Sequence, residues 1–247
     1  MPRPVPAATA TLRILRYLAA RPTPVPASRI ALDLGLARSS AYHLLTAMAE
    51  QSFVVHYPDE RTWGIGVGAW EVGQGFGRQE PLARLARVPL AELVDAVGHT
   101  AHLVQLHGRD VLYLAEERAP GRPPLVTDVG VRLPAHLTAS GRAILASLPD
   151  AQVRALYPNR AAFVDRTGIG PSTLPELRHV LAETRARGHA TEDGEITPGF
   201  ASVAVRVDSR ANQVSVAVTW DARQAPDVAT VTAALARTAA IIARRLL

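Results

Sequence analysis

The sequence predicts an α+β protein in two parts: a small helical N-terminal domain closed by a β-hairpin, then a larger domain of mixed helices and strands. Three observations lead there. Residues 26–48 carry two helix-like segments separated by a glycine. The chain's net positive charge is confined to its first 49 residues. Beyond residue 81, helical and period-two patterns are interleaved rather than segregated.

The N-terminal elements follow in order. Ala8 to Ala20 reads as a helix with Leu12, Leu15 and Leu18 among its apolar positions, and the prolines of Arg21-Pro22-Thr23-Pro24-Val25-Pro26 break it. Pro26 to Leu34 reads as a shorter helix, with proline in its first turn and Gly35 suited to end it. In the segment Leu36 to Met48, Ala41, Leu44, Leu45 and Met48 form an apolar stripe at i, i+3, i+4, i+7. Ser39, Tyr42, His43 and Thr46 recur at the same spacing on the opposite side, and each can hydrogen-bond. A helix, a glycine turn and a second helix with one polar, non-acidic face is the layout of a helix-turn-helix. Phe53 to Tyr57 and Arg61 to Ile65 then read as two strands joined by Pro58-Asp59-Glu60, which completes a winged helix-turn-helix.

Charge agrees with that reading. Residues 1–49 hold Arg3, Arg13, Arg16, Arg21, Arg29 and Arg38 against Asp33 alone, while residues 50–247 hold 21 arginines and 21 acids. The formal net charge of +5 therefore lies wholly on the unit with the helix-turn-helix pattern, where phosphate attraction favours it. The candidate DNA contacts are Arg13, Arg16, Arg38, Ser39, Ser40, Tyr42, His43, Thr46 and, in the wing, Arg61.

Composition excludes several classes. Cysteine is absent, which removes disulfides, thiolate catalysis and cysteine-based zinc sites. No run approaches the ~18 apolar residues of a membrane span, and Met-Pro-Arg-Pro-Val-Pro does not resemble a secretory signal. A cytoplasmic protein with no membrane partner is expected. Every basic residue is arginine.

The predicted boundaries are 1–66 for the winged domain, 67–80 for a linker helix and 81–247 for the second domain. In the latter, Leu82 to Val97 suggests a helix kinked at Pro89. His99 to His107 and Asp110 to Arg118 suggest strands around the Gly108-Arg109 turn, and Pro124 to Val131 suggests another strand. Thr138 to Leu148 and Leu174 to Arg187 are helical by pattern. Phe200 to Val207 and Gln213 to Thr219 are β-rich and joined by the polar stretch 208–212, and Val228 to Leu246 is a long amphipathic helix. Catalysis is not expected: Ser140 stands near His136 but without a Gly-x-Ser-x-Gly elbow, and Ser and Thr are common at helix starts. A metal site on His99, His102 and His107 is not expected either, because strand alternation puts His99 and His102 on opposite faces. No cofactor is implied.

Three stretches carry a family resemblance: Leu12-Arg13-Ile14-Leu15 through Met48 with the wing ending Trp63-Gly64-Ile65-Gly66; Arg132-Leu133-Pro134 followed by Thr138-Ala139-Ser140-Gly141-Arg142-Ala143; and Arg187-Gly188-His189-Ala190-Thr191-Glu192-Asp193-Gly194-Glu195 with Pro198-Gly199 and the strand from Ser202. In this order they resemble the IclR family of bacterial transcription factors. The chain departs from the family pattern at His43, where arginine is usual, at Ser52, where glycine is common, and at Gly194. The resemblance implies a winged-helix DNA-binding domain, a linker helix and a GAF-like effector-binding domain. It further implies a homodimer or homotetramer, most simply a repressor, on a pseudo-palindromic double-stranded operator. Matched onto this sequence, the family's effector contacts fall on Ala139, Ser140, Glu192, Ser202, Ala217 and Thr219. A helix start at Ala139 and Ser140 offers unpaired N–H groups, and on that ground the expected effector is a small organic acid. The alternative function is a binding module or hydrolase on the same fold.

Overall fold

The computed structural model describes residues 5–79, 81–209 and 212–246. Arg3 of the charge count, and Arg210 and Ala211 of the polar turn, lie outside the described residues. The chain divides into two compact units, Met1–Gln79 and Glu80–Leu247.

In the first unit, α1 (Pro6–Ala19), α2 (Ala27–Leu34) and α3 (Arg38–Glu50) precede the strands β2 (Val54–Tyr57) and β3 (Thr62–Ile65) and the helix α4 (Val67–Gln79). Gly35 ends α2 at φ 65°, a left-handed conformation that glycine adopts without strain. The apolar stripe of α3 packs as its spacing predicts: Ala41, Leu45 and Met48 are buried, Leu44 only half so. Leu45 and Met48 join Ile14, Leu18, Ile30, Val54 and Trp63 in one core.

Two details of this unit differ from expectation. Pro26 caps α2 from extended backbone instead of lying in its first turn. The proline-rich break also contributes a two-residue strand, β1 (Val25–Pro26), paired with β3 as an edge of the order β1-β3-β2. Proline is tolerated there because an edge strand leaves one row of N–H groups unused. Ser52, standing where the resemblance expects glycine, is held at φ 59°, so the turn before β2 does require the left-handed region.

The second unit is built on a six-stranded antiparallel sheet in the order β6-β5-β4-β9-β8-β7. Its strands are β4 (Thr100–His107), β5 (Asp110–Arg118), β6 (Arg132–Pro134), β7 (Ala190–Asp193), β8 (Phe200–Val207) and β9 (Val214–Asp221). On one face α5 (Pro81–Val97) and α9 (Val228–Arg245) bury Leu90, Leu93, Leu235 and Ile242 against Val203, Val216 and Val218. The opposite face carries α6 (Ala139–Leu145), α7 (Asp150–Leu156) and α8 (Leu174–Arg187), whose core includes Leu145, Val153, Leu177 and Leu181.

The expected strand at Pro124 to Val131 does not form. Pro123 and Pro124 lack N–H donors, the segment runs as coil, and the strand begins only at Arg132. Neither α7 nor β7 was anticipated as an element. A β-bulge interrupts the β4–β5 register between Leu103 and Val104: Val104 pairs with Tyr113 and Leu103 with Ala115, skipping Leu114. That one-residue insertion returns Glu116 to the sheet face of His102, its partner in the register.

α6 lies against the sheet through alanines. Ala139 and Ala143 meet Ala190, Ala204 and Ala217 in a buried seam, and a Cβ on Gly141 would sit 2.1 Å from the Ala135 carbonyl oxygen. Gly141→Ala is therefore expected to lower stability by about 1–3 kcal/mol through overpacking, read as a lower urea midpoint. An unchanged midpoint would mean that α6 does not pack this closely on the Ala135 turn.

Candidate functional site

Two surfaces gather the residues singled out in the sequence, one in each unit. On α3, Arg38, Ser39, Ser40, Tyr42, His43 and Thr46 are all exposed, opposite the buried stripe. α3 has no side-chain cap and no acidic residue in its first turn, so nothing there repels a phosphate. The Tyr42 ring sits edge-on to Trp63 of β3 at a centroid distance of 6.1 Å, and His56 stacks on the same Trp63 at 4.4 Å. Tyr42 thereby keeps 55% exposure while one edge is fixed against the hairpin. Thr46 spends its hydroxyl on the Tyr42 carbonyl (3.0 Å).

The arginines divide by what already holds them. Arg29 and Arg21 reach Asp33 at 2.9 and 3.5 Å, and Tyr17 donates to the same carboxylate at 2.7 Å. Arg13 donates to the Leu34 carbonyl at 2.8 Å, capping the end of α2. Arg16 and Arg38 are exposed and enter no ion pair among the described residues. Arg61 is exposed at the hairpin tip with φ 53°. The basic excess counted in the sequence is thus partly spent on holding the three helices together.

The second surface is a cavity of about 540 Å³, mouth included, on the α6 face of the sheet. Ala139, Ser140, Glu192, Ser202, Ala217 and Thr219 all line it. Strand register explains their convergence: Glu192 of β7 pairs with Ser202 of β8, and Ser202 pairs with Thr219 of β9, forming one row across three strands. Ala217, two residues from Thr219 on β9, shares that face. The Ser202 and Thr219 hydroxyls lie 3.0 Å apart. Tyr113, Thr127, Thr138, Ile196, Thr197 and Phe200 complete the wall, together with the coil Pro124, Leu125 and Val126. Sequence reasoning missed these, although the paired prolines were a signal that this segment is a cover and not a strand.

Electrostatics inside the cavity centre on Glu192, which is only 5% exposed. Its Oε1 accepts the Ile196 N–H at 3.2 Å. Burial pushes its carboxyl up to about 7, against the Ser202 hydroxyl, the Ile196 N–H and Arg142, and with the help of the Glu195 charge. Burial also raises the Tyr113 hydroxyl. Arg142 is buried under the cavity and bonds Glu195 at 2.9 Å, the Thr191 carbonyl at 2.8 Å and the His136 carbonyl at 2.9 Å. Behind the wall, His102 Nε2 lies 3.0 Å from the Thr127 hydroxyl and 3.3 Å from Glu116. Burial pushes Glu116 up, but the hydrogen bonds from His102 and Arg118 prevail and hold it below the usual carboxylate range.

The helix start that suggested an anion site is modest. α6 has seven residues, and the Thr138 hydroxyl already takes the Gly141 N–H at 2.9 Å. Ser140 has the Tyr113 hydroxyl as its side-chain neighbour, while His136 Nε2 is turned to the Val164 carbonyl at 3.1 Å, so no serine–histidine pair forms. His99 packs beside Trp220, among the α5/α9 core residues, away from His102.

Glu192 gives a stability prediction whose sign is fixed. Its pKa is higher folded than unfolded, so its contribution is fully present below about pH 4.5 and is lost as pH rises through about 7. The loss is on the order of 3 kcal/mol. Glu192→Gln should flatten the fall in urea midpoint between pH 5 and pH 8.5 relative to wild type; parallel profiles would show that Glu192 is not buried as an acid.

Comparison with known proteins places both units. Residues 7–58 match the model of the IclR helix-turn-helix domain, and residues 77–241 match that of the bacterial transcriptional regulator IclR C-terminal. The chain is 32% identical over 197 residues to the glycerol operon regulatory protein of Streptomyces coelicolor, covering 80% of this chain and 76% of that one. It is 28% identical over 200 residues to the acetate operon repressor of Salmonella typhimurium, covering 79% and 72%. An IclR transcriptional regulator from Alicyclobacillus acidocaldarius superposes with a TM-score of 0.81 at 24% identity over 98% of this chain and 99% of that one. An IclR homolog from Microbacterium hydrocarbonoxydans, solved in complex with 4-hydroxybenzoate, superposes with a TM-score of 0.78 at 20% identity over 97% and 98%.

Proposed function

Because the chain belongs to the IclR family of bacterial transcriptional regulators, we propose that it is a repressor whose operator affinity is set by a small organic molecule in the cavity of its second unit. The observation that carries this reading is the convergence of Ala139, Ser140, Glu192, Ser202, Ala217 and Thr219 on one cavity in the second unit, in a chain whose first unit carries an exposed polar face on α3. The first supplies a ligand site and the second a DNA-reading surface.

DNA recognition divides by chemistry. Tyr42 and His43 are the base-reading residues, and Arg16, Arg38, Ser39, Ser40 and Arg61 hold phosphates. Two copies of such a helix, related by a two-fold axis, require a pseudo-palindromic operator with half-sites near whole helical turns apart. The working form is accordingly a homodimer or a dimer of dimers. The effector is of the size of a short-chain or single-ring organic acid, in line with the 4-hydroxybenzoate complex of the Microbacterium hydrocarbonoxydans homolog. Its binding changes operator affinity by a coupling of about 1–3 kcal/mol.

A mobility-shift assay on the DNA upstream of the protein's own gene tests this. Alanine at Tyr42 or His43 should cost about 1–3 kcal/mol of discrimination between operator and competitor. Arg16→Ala should weaken both DNAs alike and flatten the salt slope by about one charge. If the Tyr42, His43 double variant keeps full operator preference, α3 does not read the groove with this face.

A further inference from the structure

The charge inventory of the cavity constrains its ligand beyond the family's general role. Among the described residues lining it, the ionisable ones are Glu192 and Tyr113, and both are acids; none of these described residues is an arginine, lysine or histidine. The buried cation nearest to Glu192 in effect is Arg142, and it is already neutralised by Glu195 at 2.9 Å and by two backbone carbonyls. Its remaining nitrogen, Nη2, has no partner among the described residues, but it faces Gly170, outside the cavity wall. The charged and titratable groups facing Glu192 are therefore Arg142 from α6, Glu195 from the loop after β7 and Tyr113 from β5. His102 and Glu116 stand behind Thr127.

An anionic carboxylate entering this space would meet the buried Glu192 carboxylate, with no cation among the described lining residues to offset either charge. The remaining wall is apolar or hydroxylic: Leu125, Val126, Ile196 and Phe200 with Thr127, Ser202 and Thr219. Such a wall satisfies hydroxyl, amide and protonated carboxyl groups. We propose that the cavity takes its ligand as an electrically neutral unit: an uncharged hydroxylated or amide compound, or a carboxylic acid bound together with one proton that Glu192 carries.

The proton's place follows from the hydrogen bonds. Oε1 of Glu192 accepts the Ile196 N–H, so Oε2 carries the proton and donates it to the ligand's carboxylate. The proton comes from solvent, and one is taken up per carboxylate bound above neutral pH. This rests on the cavity being the effector site. It makes the regulator's response to an acid depend on pH, while the response to a neutral ligand does not need a proton.

The test is titration calorimetry on the full chain with matched pairs: benzoate and benzamide, phenylacetate and phenylacetamide, butyrate and butyramide, lactate and lactamide. Each is run at pH 6 and pH 8, and at pH 8 in both phosphate and Tris to count protons. The carboxylate that binds should lose about tenfold in affinity between pH 6 and pH 8, take up one proton at pH 8, and bind more weakly there than its amide. The tenfold figure follows from Glu192 titrating at about 7. Glu192→Gln should bind that carboxylate equally at both pH values. A carboxylate bound at pH 8 as tightly as at pH 6, with no proton uptake, overturns the proposal but leaves the effector site standing. Binding of a pair that Ser140→Trp, with wild-type melting temperature, does not weaken moves the site elsewhere and overturns both. Failure of every pair to bind at either pH also counts against both.

Discussion

The close seating of α6 on the sheet is the constraint on which the second unit's chemistry depends. Alanine side chains on both partners let helix and sheet approach at short range, and Gly141, with no room for a Cβ, lets α6 close on the Ala135 turn that leads into it. Larger side chains at Ala139, Ala143 or Ala217 would push α6 away and open the cavity floor. With α6 in place, Ser140 reaches the cavity wall, its carbonyl takes the Ser215 hydroxyl at 3.1 Å, and Arg142 is carried beneath Glu192 and Glu195. Little apolar area is gained by burying alanines, so the anchorage comes from the leucines of α6, α7 and α8 around the seam. The seam sets position; the surrounding core supplies the energy.

Electrostatic order follows from that position. Arg142 would be a costly buried charge if unpaired, and Glu195 with the Thr191 and His136 carbonyls offsets it. Having spent its charge there, Arg142 leaves Glu192 largely uncompensated, which is why burial dominates that carboxyl. On the far wall, the β-bulge beside Leu114 turns Glu116 inward to His102, and His102 in turn holds Thr127 of the coil cover. The cover is thus tied to the sheet by the His102–Thr127 contact and, at its far end, by backbone hydrogen bonds of Gly130 and Val131 with Tyr113, while its prolines have no N–H to give.

Much of this was legible in the sequence, because it rests on local periodicity. The two faces of α3 follow from a 3.6-residue repeat, and Gly35 ends α2 as expected. The six cavity residues were found only through the family resemblance: Glu192, Ser202 and Thr219 become neighbours by strand register, which no spacing along the chain encodes. The bulge escaped notice for the same reason, since it exists only between two strands. The apolar run Leu125 and Val126 resembled a strand, but its side chains line a cavity. The bond from Arg13 to the Leu34 carbonyl likewise joins residues 21 apart in the chain, and only folding reveals it.

The central claim is that occupancy of the cavity on α6 is felt at the operator. The most direct measurement is operator affinity as a function of a compound that binds the wild-type cavity, compared between wild type and Ser140→Trp. The account predicts equal operator affinity without the compound, a shift of about 1–3 kcal/mol with it in wild type, and no shift in a variant that melts like wild type. A variant that folds normally, has its cavity filled and still responds fully to the compound would contradict it.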